Sequence, residues 1–130
     1  MELRSIILCE YASIRPDGIF NIVGGGIRRI ATAKLPIVFS ASMLIILDCA
    51  LEEGTFEMNL QLRDADGKKL FNLKQPFRVR PQSGVHTSVF RFERLKLERT
   101  GDYSFEVFVG GRSVGSYALN ILLRPARPQV

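Results

Sequence analysis

The 130-residue chain has no tryptophan, one histidine and two cysteines. Each shortage excludes something. A structural zinc site of the Cys/His kind takes four ligands, and His86, Cys9 and Cys49 supply too few. Two cysteines do not make a disulfide scaffold. Both lie in apolar stretches and read as buried free thiols of a reducing compartment, with one disulfide between them as the alternative. Long apolar runs are also missing. Ile6-Ile7-Leu8 is cut short by Glu10, whereas a secretory h-region needs about 7–15 apolar residues. The uncharged run from Leu35 to Leu47 closes at Asp48, too short to span about 30 Å of hydrocarbon as a helix. A cytoplasmic protein without membrane contact is therefore expected. No window carries a 3.6-residue apolar stripe, so little helix is expected either.

What the chain does have is alternation. Its composition is that of an ordinary folded domain, 46% hydrophobic and 24% charged, with a net charge of +5. Phe56, Met58, Leu60 and Leu62 alternate with Glu57, Asn59, Gln61 and Arg63. Tyr103, Phe105, Val107 and Val109 alternate with Ser104 and Glu106. Tyr117, Leu119, Ile121 and Leu123 repeat the habit. Each run buries one face of a strand and solvates the other. Turn residues separate the runs: Arg15-Pro16-Asp17-Gly18, Glu52-Glu53-Gly54, Asp64-Ala65-Asp66-Gly67 and Gly110-Gly111. Strands are predicted over 3–14, 18–23, 37–51, 55–63, 69–80, 86–97, 103–109 and 112–123. The fold class is all-β: a two-layer β-sandwich of seven or eight mainly antiparallel strands, immunoglobulin-like or a related Greek key. One domain is expected over residues 1–123, with a Pro-containing tail at 124–130.

Several details sharpen this picture. Phe90 and Phe92 have even numbers and Leu95 and Leu97 odd ones, so a bulge is predicted near Glu93-Arg94. Residues 24–36 lack periodicity and read as a crossover loop or an irregular edge strand. Strand 37–51 is apolar on both faces, through Phe39, Ala41, Met43, Ile45 and Leu47 and through Val38, Leu44 and Ile46. Such a strand is central under a second layer or buried in an interface. Tyr103, opening a strand after Arg99-Thr100-Gly101-Asp102, resembles the tyrosine corner of immunoglobulin-like sandwiches. Plain core burial of Tyr103 is the other reading. The tryptophan and intersheet cysteine pair of antibody domains are absent.

Candidate chemistry is sparse. His86 needs a nucleophile and an orienting acid to act in catalysis. Ser83 and Ser88 are near in sequence but carry no motif, and an edge residue is the plain reading. Asp64-Ala65-Asp66-Gly67 has the start of a calcium loop without its remaining ligands, so a solvated turn is favoured. Gly24-Gly25-Gly26 has the wrong spacing for a phosphate loop and reads as a bent connection. With Arg28 and Arg29 it forms a candidate interaction loop. Arg78, Arg80, Arg91 and Arg94 are the candidates for a basic binding face, provided their two strands pair. Nearby Glu93 and Glu98 dilute that face, and Phe77, Phe90 and Phe92 are needed in the core rather than for stacking bases.

The stretch Leu8-Cys9-Glu10-Tyr11-Ala12, then Phe20-Asn21-Ile22-Val23-Gly24, Arg29-Ile30, Pro36 and Gly101-Asp102-Tyr103 resembles a family of small uncharacterised bacterial proteins, a domain of unknown function. The likeness spans most of the chain. It implies a small bacterial cytosolic β-sandwich and supplies no catalytic residue. Arg28 stands where that family's pattern leads one to expect an acidic residue.

The leading expectation is a non-enzymatic protein-interaction or assembly module. It would act through sheet edges or an apolar sheet face, with a protein partner or a second copy. No cofactor or metal is expected. One alternative is a nucleic-acid-binding sandwich using Arg78, Arg80, Arg91 and Arg94. A second is a ligand-binding or hydrolytic sandwich centred on His86.

Overall fold

In a computed structural model of the chain, residues 1–50, 52–81 and 84–124 are described. Leu51, Gln82, Ser83 and residues 125–130 of the expected tail lie outside them. The described residues form nine strands and no helix, so none is long and apolar enough to cross a membrane. The strands are β1 (Glu2–Ile14), β2 (Phe20–Gly25), β3 (Arg29–Thr32), β4 (Ile37–Asp48), β5 (Gly54–Arg63), β6 (Lys69–Val79), β7 (Val85–Leu97), β8 (Gly101–Val109) and β9 (Arg112–Leu123). The strand beyond the expected eight is β3, drawn from the stretch read as a crossover or edge strand.

Alternation in each strand sets which side chains face inward. Met43, Ile45 and Leu47 of β4, Met58, Leu60 and Leu62 of β5, Phe105 and Val107 of β8 and Leu119 of β9 are fully buried in one core. That core lies between two sheets. The four-stranded sheet has the order β2-β1-β4-β7 and is antiparallel throughout. The five-stranded sheet has the order β3-β9-β8-β5-β6, with β3 parallel to β9 and the other pairs antiparallel. The orders β1-β4-β7 and β9-β8-β5-β6 correspond to A-B-E and G-F-C-C′ of immunoglobulin sandwiches.

The predicted bulge is present. Phe39 pairs with Leu95 and Ala41 with Phe92, leaving Glu93 and Arg94 opposite Ser40 alone. The Ser40 hydroxyl donates to the Glu93 carbonyl inside the bulge. The extra residue explains how Phe90, Phe92, Leu95 and Leu97 all reach the core despite their change of parity. Pro76 lies in β6, at the edge of its sheet, where a missing N–H is tolerated.

The doubly apolar strand is β4, central between β1 and β7. Its outward Leu44 has no exposure, because the chain itself covers it. After Cys9 pairs with Ser42, β1 parts from β4 and continues as a hairpin with β2. This hairpin crosses the outer face of the four-stranded sheet. Cys9, Ala12 and Ile22 pack there on Leu44, Ile46 and Val89 as a second, smaller core. The Arg91 guanidinium donates to the Ala12 carbonyl at 3.1 Å, tying the hairpin to β7. Leu44 and Ile46 are thus spoken for within the chain, while Val38 on the same face stays 47% exposed.

Candidate functional site

Strand β7 ends one sheet and β6 ends the other, on the same side of the sandwich. They face each other through ring contacts rather than a ladder. Phe71 meets Phe92 at 5.5 Å and Phe77 stacks on His86 at 4.2 Å between centroids. The hairpin tip overhangs this side. A cleft of about 660 Å³ results. One wall is the hairpin at Ala12–Ile14, a second is β6 at Gln75–Arg78, and the third is β7 from His86 to Arg91. A smaller apolar hollow of about 250 Å³ continues between Phe71 and Leu73 of β6 and Phe92 and Leu95 of β7.

The condition for a basic sheet face is not met, because β6 pairs with β5 and β7 with β4. The four arginines are therefore distributed. Arg78 and Arg91 line the large cleft from β6 and β7. Arg94 lines the smaller hollow, beside Glu93. Arg80 is exposed beyond the end of β6. The Arg91 guanidinium also lies 4.7 Å above the Tyr11 ring. Sequence parity placed Arg78 and Arg91 on outer faces but could not show them facing one cleft. That arrangement depends on how two sheets meet.

His86 is a half-buried edge residue that closes the core against the cleft. Its Nε2 lies 2.7 Å from the Ser88 hydroxyl, and Ser88 is buried. Burial pushes the His86 imidazole below its ordinary value, so the ring is neutral near pH 7. Among the described residues no carboxylate hydrogen-bonds to the ring. Among those residues the pair has no orienting acid of the kind that a nucleophilic serine site uses. The contact was foreseeable in part, since residues two apart on a strand share a face. Ser83, the other nearby serine, lies outside the described residues.

Other candidates have structural occupations. Gly24, Gly25 and Gly26 carry the chain from one sheet to the other. Gly24 and Gly26 have φ of 60° and 85°, a region that favours glycine. The N–H groups of Gly26 and Ile27 both donate to the Leu8 carbonyl, at 3.0 and 2.9 Å. Arg28 lies 5.6 Å above the Tyr117 ring, and the Tyr117 hydroxyl donates to the Ile27 carbonyl. Arg29 opens β3 and is exposed. The connection is bent and anchored.

Asp64 accepts from the N–H groups of Asp66 and Lys68 at 3.0 and 2.9 Å and pairs with Arg99 at 2.8 Å. Those partners hold its carboxyl below the usual range. No cluster of metal-ligating side chains occurs among the described residues. Cys9 and Cys49 are both buried free thiols, and burial raises both above their ordinary value. Cys9 faces Ser42, and Cys49 lies seven residues further along the same strand direction, roughly 23 Å at the rise of a strand. That is beyond disulfide reach.

Among the described residues, exposed large apolar side chains concentrate on the hairpin. Tyr11, Ile14, Ile19, Phe20 and Val23 are all more than a third exposed and fall within residues 11–23. Tyr11 pairs with Val23 and Ile14 with Phe20, so they form contiguous patches rather than scattered residues.

The chain belongs to a family of unknown function (DUF6941), whose model matches residues 4–122. No curated protein matches it in sequence. Among solved structures it is similar to an alkylpurine DNA glycosylase AlkC from Pseudomonas fluorescens, bound to DNA containing an abasic-site analogue, at 9% identity and a TM-score of 0.45. It is similar to a β-glucosidase from Listeria innocua in complex with isofagomine, at 9% identity and a TM-score of 0.49. These alignments cover 90% and 95% of this chain but only 30% and 17% of those proteins. An immunoglobulin-like protein from Pseudomonas aeruginosa aligns at 15% identity and a TM-score of 0.39, over 90% of this chain and 96% of that one.

Proposed function

We propose that this member of a family of unknown function is a non-enzymatic protein-interaction module that works through the edges of its four-stranded sheet. The observation that carries the reading is the chemistry of strand β2. An edge strand is a template for another chain, and proteins guard such edges with charge, proline, bulges or shortness. Strand β3 is four residues long and carries Arg29. Strand β6 carries Lys69, Lys74, Pro76 and Arg78. The second half of β7 carries Arg91, Arg94 and the bulge. Strand β2 carries no charge or proline, is regular over Phe20-Asn21-Ile22-Val23 before its bent Gly24-Gly25 end, and is paired on one side only. It also bears exposed Phe20 and Val23. An unguarded, apolar edge suits main-chain pairing with a second strand.

The test is light scattering after size exclusion, followed by a comparative pull-down, on the wild type and on Val23→Lys. Val23 is exposed, so the substitution leaves the core alone. The expected result is an assembly heavier than 14.6 kDa, or a captured protein, that Val23→Lys abolishes. An assembly or capture unaffected by Val23→Lys, or none at all, overturns the reading.

A further inference from the structure

We propose that the cleft between β6 and β7 takes an extended, carboxylate-bearing segment of a partner protein, laid along the first half of β7. This deepens the edge reading above and rests on it. The stretch Val85-His86-Thr87-Ser88-Val89-Phe90 has no side chain that is charged near pH 7, lies before the bulge, and ends its sheet. It is the second unguarded edge of the four-stranded sheet, and the cleft lies directly along it. The volume of about 660 Å³ lies within the roughly 300–1,000 Å³ of ordinary ligand sites.

Charge selects the occupant. Arg78 and Arg91 reach the cleft from two strands, and neither is paired with a carboxylate among the described residues. The Arg91 partners are a carbonyl and a ring, which leave its charge uncompensated. Two guanidinium groups facing one slot match acidic side chains of a strand seated there. Above the slot, Ile14 of the hairpin is 41% exposed and offers an apolar lid for alternate side chains. A nucleic-acid strand fits less well. Base stacking needs open ring faces, but the phenyl ring in the cleft wall, Phe77, is buried and stacked by His86.

The probe is a short fluorescein-labelled peptide of alternating Glu and Val, followed by anisotropy. A Lys-for-Glu counterpart and a short oligothymidylate are run beside it. The expected result is binding of the Glu peptide alone, weakened at least about tenfold by Arg78→Glu and by added salt. Arg29→Glu makes the same charge change on exposed β3, at the far edge of the other sheet, and is expected to leave binding nearly unchanged. Equal losses from both variants would mean diffuse attraction and overturn the site. So would tighter binding of the oligothymidylate. If no peptide binds while Val23→Lys still breaks an assembly, the cleft assignment falls and the edge reading survives. If neither is seen, both fall.

Discussion

The Tyr103 hydroxyl donates to the Arg99 carbonyl at 2.7 Å and accepts from the Arg99 N–H at 3.4 Å. Both ends of one turn residue are held by one phenol at the start of β8. This is the tyrosine corner of immunoglobulin sandwiches, closing the connection between the two sheets. Arg99 in turn reaches Asp64 and Asp66 at 2.8 and 3.1 Å, so the corner is tied to the turn after β5. Tyr103→Phe keeps the buried ring and removes only the hydroxyl. The expected loss is about 1–2 kcal/mol of unfolding free energy, from a turn carbonyl deprived of its donor. Urea unfolding checks it. An unchanged midpoint would mean that ring burial alone matters.

Most of this fold was legible because burial on a strand has period two. The inward residues of β5, β8 and β9 follow from parity alone, and so does the bulge at Glu93-Arg94. The strand β3 was harder to read, since four residues with no clear alternation carry no periodic signal. The boundaries of β2 moved to Phe20–Gly25 because the turn runs on to Ile19, whose carbonyl accepts from the Arg15 N–H at 2.7 Å. The cleft was the least legible part. It is made by Arg78 and Arg91 on strands of different sheets, and by a hairpin that leaves its own sheet after Cys9. Local patterns do not encode the meeting of two sheet edges.

The crossing hairpin predicts an uneven outer face for β4. Leu44 has no exposure and Val38 is 47% exposed, though both point away from the main core. Leu44→Ala is expected to cost about 2–5 kcal/mol, the price of a buried leucine. Val38→Ala is expected to stay within about 0.5 kcal/mol. Equal effects would mean that the hairpin does not cover the sheet in solution.

His86 makes stability depend on pH in a direction that its surroundings set. Packed against Phe77 and Ser88, the folded ring resists protonation because burial disfavours the imidazolium. The unfolded chain protonates at the ordinary value of 6.5. Above that pH neither state holds the proton, and the folded state suffers no penalty. As pH falls through 6.5 the unfolded chain takes up a proton that the folded chain still refuses. Stability therefore falls with pH until the folded ring also protonates. Asp48 and Asp64 add a separate loss lower down, because their folded carboxyls titrate below 3.8. Substituting His86→Gln leaves an amide beside Ser88 with nothing to titrate. Urea midpoints measured from pH 7 downward are expected to fall for the wild type before the carboxylate range is reached. For His86→Gln they are expected to stay flat there. The difference between the two curves isolates the imidazole, and parallel curves would place His86 in water rather than against Phe77.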